Sequence, residues 1–189
     1  MSAPTQAHLG IAKNALRYLK GTSDKHLTFT CIEGPLSILG YCDSDWAGDA
    51  DRKSVSGYCF KLCATGPLIS WKSKKQNIVA LSSCEAEYVS LTYAIMEGKF
   101  LSQLFAEMYN VEKDMFYLYV DNKAAINLAN NPVYHQRTKH VSVKYHFCRH
   151  EIKSQNVALV YVNTADNCSD IFTKPVSKAK LEKFGLFGS

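Results

Sequence analysis

The spacing of apolar residues predicts one helix followed by several short strands in the first half of the chain. Between Thr5 and Lys20, leucines and alanines recur every three or four positions, which predicts a helix that packs its apolar side on another surface. Apolar residues then alternate with polar ones, as in half-buried strands. The predicted strands cover 27–32, 36–43, 56–62 and 68–76, and the last three are expected to form an antiparallel meander.

The second half of the chain switches between helical and strand periods. Ser82 or Ser83 is suited to cap a long helix from Cys84 to about Tyr109. The elements predicted after it are a strand over 116–121, helices over 122–129 and 139–153, a strand over 156–162 and a short helix over 166–173. Because a strand, helix, strand order favours parallel pairing, the pattern predicts an α/β protein. Its five-stranded mixed sheet would have three antiparallel strands plus two parallel ones, flanked by helices.

Two of the apolar strands end in an aspartate. The run LSILGYCDSD contains Asp43 near its end, and FYLYVD closes on Asp121. A carboxylate at the end of a buried strand costs free energy to desolvate unless it binds a partner. In open α/β sheets, ligands bind at the carboxyl ends of parallel strands where the strand order reverses. Asp170, in the last predicted helix, can face the same edge, so we expect a shared carboxylate site there.

Glu87 is the fourth candidate for this site. It lies beside the apolar stripe of the long helix, three residues after Cys84, whereas Glu85 falls on a different face. The alternative is that both glutamates only complement the positive end of the helix dipole. Four clustered carboxylates repel one another unless a hard cation neutralises them, and all-oxygen ligation selects Mg²⁺ or Mn²⁺. Two such ions, roughly 3.5–4 Å apart, would suit phosphodiester hydrolysis.

Composition narrows the class of protein. The chain has 189 residues, of which 47% are hydrophobic and 21% charged, as in an ordinary globular protein of one domain. No apolar run approaches the ~20 residues of a membrane span, and the first residues lack the apolar core of a signal peptide. We therefore expect no membrane partner and a location inside the cell, in the cytoplasm or the nucleus. The net charge of +5 permits a polyanionic partner.

The positive charges form two groups that could contact a phosphate backbone. Lys72, Lys74 and Lys75 lie at the end of the third meander strand, and Lys139 and Arg149 lie on a basic face of the 139–153 helix. The alternatives are an edge strand protected from aggregation by lysines and a solvated helix face. We consider both groups candidate nucleic-acid contacts.

Cysteine and histidine raise the possibility of zinc. The seven cysteines include no CxxC pair and lie mostly in apolar segments, which favours reduced, buried thiols. His146 and His150 are four residues apart on a predicted helix, with Cys148 and His140 nearby. A structural zinc site needs four ligands at tight spacing, and no second pair supplies them. The pattern therefore argues against zinc.

Six blocks of the sequence resemble the ribonuclease H domain at the end of the Pol polyprotein of Copia-type LTR retrotransposons. The blocks are GYCDSDWAGD, DRKSVSGYCF, ISWKSKKQNIVALSSCEAEY, YVDNKAAINLANNP, RTKHVSVKYHF and TADNCSDIFTKP. The segment SAPTQAHLGIAKNALRYLKGT resembles the connection that joins reverse transcriptase to this domain. The resemblance implies a connecting segment over 1–35, a ribonuclease H-like domain over 36–176 and a basic tail over 177–189.

The resemblance also implies roles for particular residues. It makes Asp43, Glu87, Asp121 and Asp170 the catalytic and metal-binding tetrad of a ribonuclease H-like fold. Asp45 is a candidate supporting group, and Asp166 is the alternative to Asp170. The chain departs from many cellular ribonucleases H, which carry a mobile histidine in the loop after the last strand, because Asn163-Thr164-Ala165 contains none.

The expected function is Mg²⁺- or Mn²⁺-dependent cleavage of the RNA strand of an RNA/DNA hybrid. The reverse transcriptase module of the same polyprotein is a second expected partner. The sequence contains no polymerase motif, so the alternative is a catalytically silent or domesticated remnant that binds nucleic acid or protein. An integrase-like transferase of related fold agrees less well, because its site usually holds three carboxylates in a different order of motifs.

Overall fold

A computed structural model describes residues 3–29, 37–48, 51–131 and 139–184, without the side chains of residues 139–142. Its five α-helices and five strands are α1 Gln6–Gly21, β1 Leu39–Asp45, β2 Val55–Lys61, β3 Leu68–Lys75, α2 Ser83–Tyr109, β4 Phe116–Val120, α3 Lys123–Asn130, α4 Lys139–Lys153, β5 Val157–Tyr161 and α5 Lys178–Lys183. Two 3₁₀ segments, Thr164–Asp166 and Cys168–Phe172, lie between β5 and α5.

The strands form the predicted mixed sheet, in the order β3-β2-β1-β4-β5. The pairs β1/β2 and β2/β3 are antiparallel, whereas β1/β4 and β4/β5 are parallel. The three antiparallel strands are adjacent in sequence, so short connections suffice, and helices cross over between the parallel ones. Strand β1 is therefore the central strand, with an antiparallel neighbour on one side and a parallel neighbour on the other.

The main core lies between α2 and one face of the sheet. Tyr88, Leu91 and Ile95 of α2 pack with Phe60 and Phe116 of the strands. The opposite face carries a smaller cluster formed by Cys59, Leu68 and Cys168, against which Leu181 of α5 packs partly buried. Because successive strand residues point to opposite faces, β1 sends Cys42 into the main core and Tyr41 against the smaller cluster.

Three predicted features differ from the structure. Helix α1 forms, with Thr5 as its N-cap and a capping box to His8, but none of its residues is buried. The first part of the strand predicted over 27–32 is absent, because residues 27–29 lie outside any strand. The rest of that predicted strand and the turn after it fall within 30–36, outside the described residues. The short helix predicted over 166–173 is replaced by the two 3₁₀ segments, because Asn163 and Asn167 each cap a new turn.

The loop predicted over 133–138 also lies outside the described residues. The longer elements agree closely with the sequence pattern: α4 has the predicted bounds, and α2 begins after Ser82, whose hydroxyl accepts a hydrogen bond from the Glu85 N–H.

In the part of the chain that the structure describes, no helix is long and apolar enough to span a membrane.

Candidate metal centre

Asp43 lies near the C-terminal end of the central strand β1, beside the C-terminal end of β4. It pairs with Gly57 of β2, and the residue is 2% exposed. The hydroxyl of Ser90, on α2, donates to the backbone oxygen of Asp43 at 2.6 Å and to that of Gly57 at 3.2 Å. Helix α2 therefore fixes the backbone position of Asp43.

Asp121 reaches the same edge because β4 runs parallel to β1. Tyr41 and Cys42 of β1 pair with Tyr119 and Val120 of β4, so the residue that follows β4 lies beside Asp43. Asn122 then caps α3, its Oδ1 accepting from the Ala125 N–H at 3.0 Å. This change from strand to helix immediately after Asp121 places its carboxylate at the sheet edge.

Asp170 comes from the second 3₁₀ segment, on the opposite face of the sheet from α2. Asn167 anchors this segment by donating from Nδ2 to the backbone oxygen of Cys42 at 3.0 Å. Thr173 adds a second link, because its hydroxyl donates to Asp43 Oδ2. The segment also lies very close to β2, since a methyl group added at Gly57 would come within 2.6 Å of Thr173 Cγ2. Asp170 is consequently 1% exposed and held against Asp43.

Asp43, Asp121 and Asp170 each offer an oxygen atom to a common point, and these atoms lie within 4.8 Å of one another. Glu87 approaches from α2, is 6% exposed and accepts a hydrogen bond from the Ser44 N–H at 3.2 Å through Oε1. Its other oxygen, Oε2, is buried without a hydrogen-bond partner among the described residues. Asp43, Glu87 and Asp121 line one open cleft of about 530 Å³. We call this group of four side chains the carboxylate cluster.

Electrostatics explain why the carboxylate cluster suits a cation. Burial raises the pKa of Asp43 to about 6, although the Thr173 hydroxyl and the Lys174 ammonium oppose the rise. Burial, followed by the charges of Asp43 and Asp121, also raises the pKa of Glu87. In both side chains burial disfavours the ionised form, and the neighbouring groups that favour ionisation do not offset it. An all-oxygen donor set with an unpartnered buried oxygen fits a hard divalent cation such as Mg²⁺ or Mn²⁺.

Two other predicted acidic candidates lie apart from the carboxylate cluster. Asp45 ends β1, is partly buried and does not line the cleft. Asp166 pairs with Lys183 at 2.7 Å, with more than half of its side chain exposed. In the loop without histidine, Asn163 Oδ1 accepts from the Ala165 N–H at 2.9 Å, and Thr164 lines the cleft. Of the two rivals Asp166 and Asp170, only the latter lies with Asp43 and Asp121.

The lysines predicted as phosphate contacts point to two sides of β3. Lys72 and Lys74 are exposed and line a groove beside α2, where Lys74 Nζ lies 5.2 Å from the centre of the Tyr93 ring. Lys75 points to the other side and pairs with Asp51 at 3.0 Å. Lys72 and Lys74 therefore share one face of β3 and a groove that Glu97 also lines, whereas Lys75 lies on the other face.

Arg149 is not on an exposed basic face, which corrects the expectation from helical spacing. It is 8% exposed, and its guanidinium donates to the backbone oxygens of Leu128 at 3.2 Å and Asn131 at 2.6 Å. These carbonyls end α3, where unpaired acceptors attract a cation. Arg149 thus joins α4 to α3. The side chain of Lys139, the other predicted contact on α4, lies outside the described residues.

The side chains considered for zinc do not converge. Cys148 is fully buried in the main core, 3.3 Å from the Thr92 hydroxyl, whereas His146 and His150 are exposed. Among the side chains that the structure describes, the three aspartates are the one group of three or more potential ligands close enough to share an ion. The side chain of His140 is outside that set.

Solved structures with the same fold are ribonucleases H. LC11-RNase H1 in complex with an RNA/DNA hybrid superposes with a TM-score of 0.54 and 16% identity, covering 72% of this chain and 94% of that one. The N-terminal RNase H domain of a Mycobacterium tuberculosis protein gives 0.53 and 11%, covering 78% and 98%. The mixed sheet with its flanking helices is therefore a ribonuclease H-like fold.

Several sequence relatives of the chain are Pol polyproteins of retrotransposons. The chain is 40% identical over 95% of its length to the Pol polyprotein from transposon TNT 1-94 of Nicotiana tabacum, and 40% identical over 97% to that from transposon RE2 of Arabidopsis thaliana. It spans only 13% and 12% of these relatives. The chain belongs to the Copia-type retrotransposon Pol family, and the part that it represents has the ribonuclease H fold.

Relatives with other names match about half of the chain. Secreted RxLR effector protein 161 of Plasmopara viticola is 47% identical over 102 residues, which are 53% of this chain and 70% of that protein. No protein-family model matches the chain.

Proposed function

We propose that the chain is a divalent-metal-dependent endonuclease that hydrolyses the RNA strand of RNA/DNA hybrids. The observation that carries the proposal is the convergence of Asp43, Asp121 and Asp170, with oxygen atoms within 4.8 Å of one another, and of the buried Glu87. Support comes from the ribonuclease H fold and from the relationship to Pol polyproteins.

The four carboxylates would hold Mg²⁺ or Mn²⁺, two ions in our proposal. The bound cations would supply Lewis-acid polarisation of the scissile phosphate and activation of the attacking water. The protein contributes the rigid frame: Ser90 fixes the backbone at Asp43, and Thr173 and Asn167 hold the segment that carries Asp170. The cleft is open, as required for a polymeric substrate.

Exposed lysines supply the proposed hybrid-binding surface. Lys72 and Lys74 line the groove beside α2, and Lys123, at the carboxylate cleft, lies 4.5 Å from the centre of the Tyr161 ring. These lysines would contact phosphates, which position the hybrid without reading its sequence. Selection of a hybrid would rest on helix shape and on contacts to 2′-hydroxyls. The reverse transcriptase module of the polyprotein is the second partner that we propose.

Cleavage of three labelled duplexes tests the activity. The purified chain is mixed with an RNA/DNA hybrid, an RNA duplex or a DNA duplex in Mg²⁺ and in Mn²⁺, beside Asp121→Asn and the matched control Asp24→Asn, which changes an exposed aspartate just after α1. We expect cleavage of the RNA strand in the hybrid alone, lost in Asp121→Asn and retained in Asp24→Asn. Equal cleavage of the DNA duplex would overturn the assignment.

The second candidate is a catalytically silent domain that binds nucleic acid or protein. The match to a shorter protein with a different name favours it, because part of this sequence also occurs outside a Pol polyprotein. A folded chain that binds the hybrid but does not cleave it in either metal would support this candidate. Cleavage abolished by Asp121→Asn would exclude it.

A further inference from the structure

Two lysines contact the carboxylate cluster. Lys174 Nζ lies 2.9 Å from Asp170 Oδ1 and 3.5 Å from Asp43 Oδ2, so one ammonium group bridges two buried carboxylates. Lys180, on α5, contacts Asp170 Oδ2 and donates to the backbone oxygen of Thr164 at 3.1 Å. Both carboxylates of the Asp43 and Asp170 pair are therefore neutralised in part by side chains of the protein itself.

The two lysines differ in their relation to the cleft. Lys174 lines it together with Asp43, Glu87 and Asp121, and 36% of its side chain is exposed. Lys180 does not line the cleft, and 22% of its side chain is exposed. Of these two lysines, Lys174 is the one whose ammonium contacts Asp43 and Asp170 from the open side of the carboxylate cluster, where a cation from solvent must enter.

We propose that Lys174 is a tethered counter-ion that occupies the carboxylate cluster before a divalent cation binds and is displaced by that cation. The proposal rests on the proposed function in that both require a metal site at these carboxylates. Two positive charges a few ångströms apart in a partly buried site repel strongly. The flexible four-carbon stem of lysine allows the ammonium to leave toward solvent without movement of the backbone.

The proposal makes two opposite predictions for Lys174→Met. In the absence of metal, this variant should unfold at a lower temperature, because Asp43 and Asp170 lose a shared cation. Mg²⁺ should nevertheless bind the variant more tightly, since no tethered charge has to be displaced. We expect a decrease in the Mg²⁺ dissociation constant of roughly three- to tenfold, as for loss of one partly exposed charged hydrogen bond.

Two further variants separate local displacement from a change in net charge. Lys178→Met removes the same charge from α5, where 88% of the lysine side chain is exposed and its partner is Glu182 at 3.6 Å. It should leave Mg²⁺ affinity unchanged. Lys174→Arg keeps a positive charge at the cleft and should keep the affinity near that of the wild-type chain.

Calorimetric titration with Mg²⁺, combined with thermal unfolding in EDTA, tests the proposal without any measurement of activity. Tighter binding by Lys174→Met alone, together with its lower unfolding temperature in EDTA, would support it. Equal or weaker binding by Lys174→Met would overturn it while leaving the metal site intact. If the wild-type chain binds no divalent cation, both this proposal and the metal-dependent nuclease are wrong.

Discussion

The carboxylate cluster and helix α1 depart from the usual arrangement of a globular protein in opposite directions. The cluster buries charged groups, with Asp43, Glu87 and Asp170 each at most 6% exposed. Helix α1 exposes apolar groups, among them Leu16 at 65%. Burying carboxylates costs free energy that the nearby ammonium groups of Lys174 and Lys180 return only in part, whereas exposed leucines cost little in a folded chain. The buried carboxylates of the cleft therefore lower the free energy of unfolding, whereas α1 contributes little to it.

The largest expected effect concerns Asp170 and its neighbour one turn earlier. Asp170→Asn should lower hybrid cleavage by about 10²- to 10³-fold or more, as when one group that stabilises transition-state charge is removed. Asp166→Asn should retain activity, because Asp166 pairs with Lys183 away from the cleft. Single-turnover cleavage rates of the two variants provide the comparison. An equal loss of cleavage rate in both variants would show that Asp170 is no more important for activity than Asp166.

The pH dependence of stability should reveal the cost of burying Asp43. Its folded-state pKa of about 6 lies above its ordinary value of 3.8. The folded chain therefore holds the proton more tightly, and this contribution to the free energy of unfolding falls as pH rises from about 4 to about 7. In EDTA, the difference between the wild-type chain and Asp43→Asn should change over that range by about 2–3 kcal/mol. Denaturant unfolding curves measure it, and parallel pH profiles would show that burial does not raise the pKa of Asp43.

The close approach of β2 to the Asp170 segment gives the next effect. An added methyl group in Gly57→Ala would meet Thr173 Cγ2 at 2.6 Å and the Phe172 carbonyl carbon at 3.2 Å. We expect destabilisation by about 1–3 kcal/mol, with a loss of activity because Asp170 moves. The matched control is Gly10→Ala on α1, which meets nothing within 4 Å and should stabilise the helix slightly. Unchanged unfolding of Gly57→Ala would show that this contact is loose.

Binding of the hybrid should depend on the basic groove beside α2. Replacing Lys72 and Lys74 by alanine should weaken binding and reduce the slope of log affinity against log salt by about 2, if each lysine contacts one phosphate. The control pair Lys20→Ala/Lys25→Ala removes two exposed charges on and just after α1. Fluorescence anisotropy at several salt concentrations measures both slopes. The same slope in the two double variants would show that Lys72 and Lys74 do not contact the hybrid.

The smallest effect is expected on α1. Leu9→Gln combined with Leu16→Gln should change the free energy of unfolding by less than about 0.5 kcal/mol, because Leu9 is 49% and Leu16 65% exposed. Leu91→Ala, in the main core, should cost about 2–5 kcal/mol. Chemical denaturation of both variants measures the contrast. A large loss in the α1 variant would mean that its apolar side is covered in solution.

The spacing of apolar residues predicted the features that depend on residues close together in the sequence. The helical spacing set Glu87 beside the apolar stripe of α2, and the strand pattern placed Asp43 and Asp121 at neighbouring strand ends. The structure shows the same arrangement. The amphipathic pattern of α1 predicted the helix correctly but not whether a partner surface covers it, because the pattern records only the need for one.

Contacts between distant parts of the chain left no local pattern. Thr173 reaches Asp43 across 130 residues, and Asn167 reaches Cys42 across 125. Arg149 was misplaced for a related reason: the carbonyls that attract it belong to the end of another helix. Lys174 did have a signal, since it lies four residues after Asp170, but such spacing is common between charged residues.

We propose that the carboxylate cluster holds a divalent cation, and thermal unfolding of Glu87→Gln is the sharpest test. Glu87 contributes a buried oxygen that has no hydrogen-bond partner among the described residues. In EDTA at neutral pH, Glu87→Gln should unfold at a higher temperature than the wild-type chain, because burial disfavours the ionised carboxylate and the neutral amide carries no such cost. Mg²⁺ should raise the unfolding temperature of the wild-type chain and have little effect on the variant. The same response to Mg²⁺ in both proteins would contradict the claim.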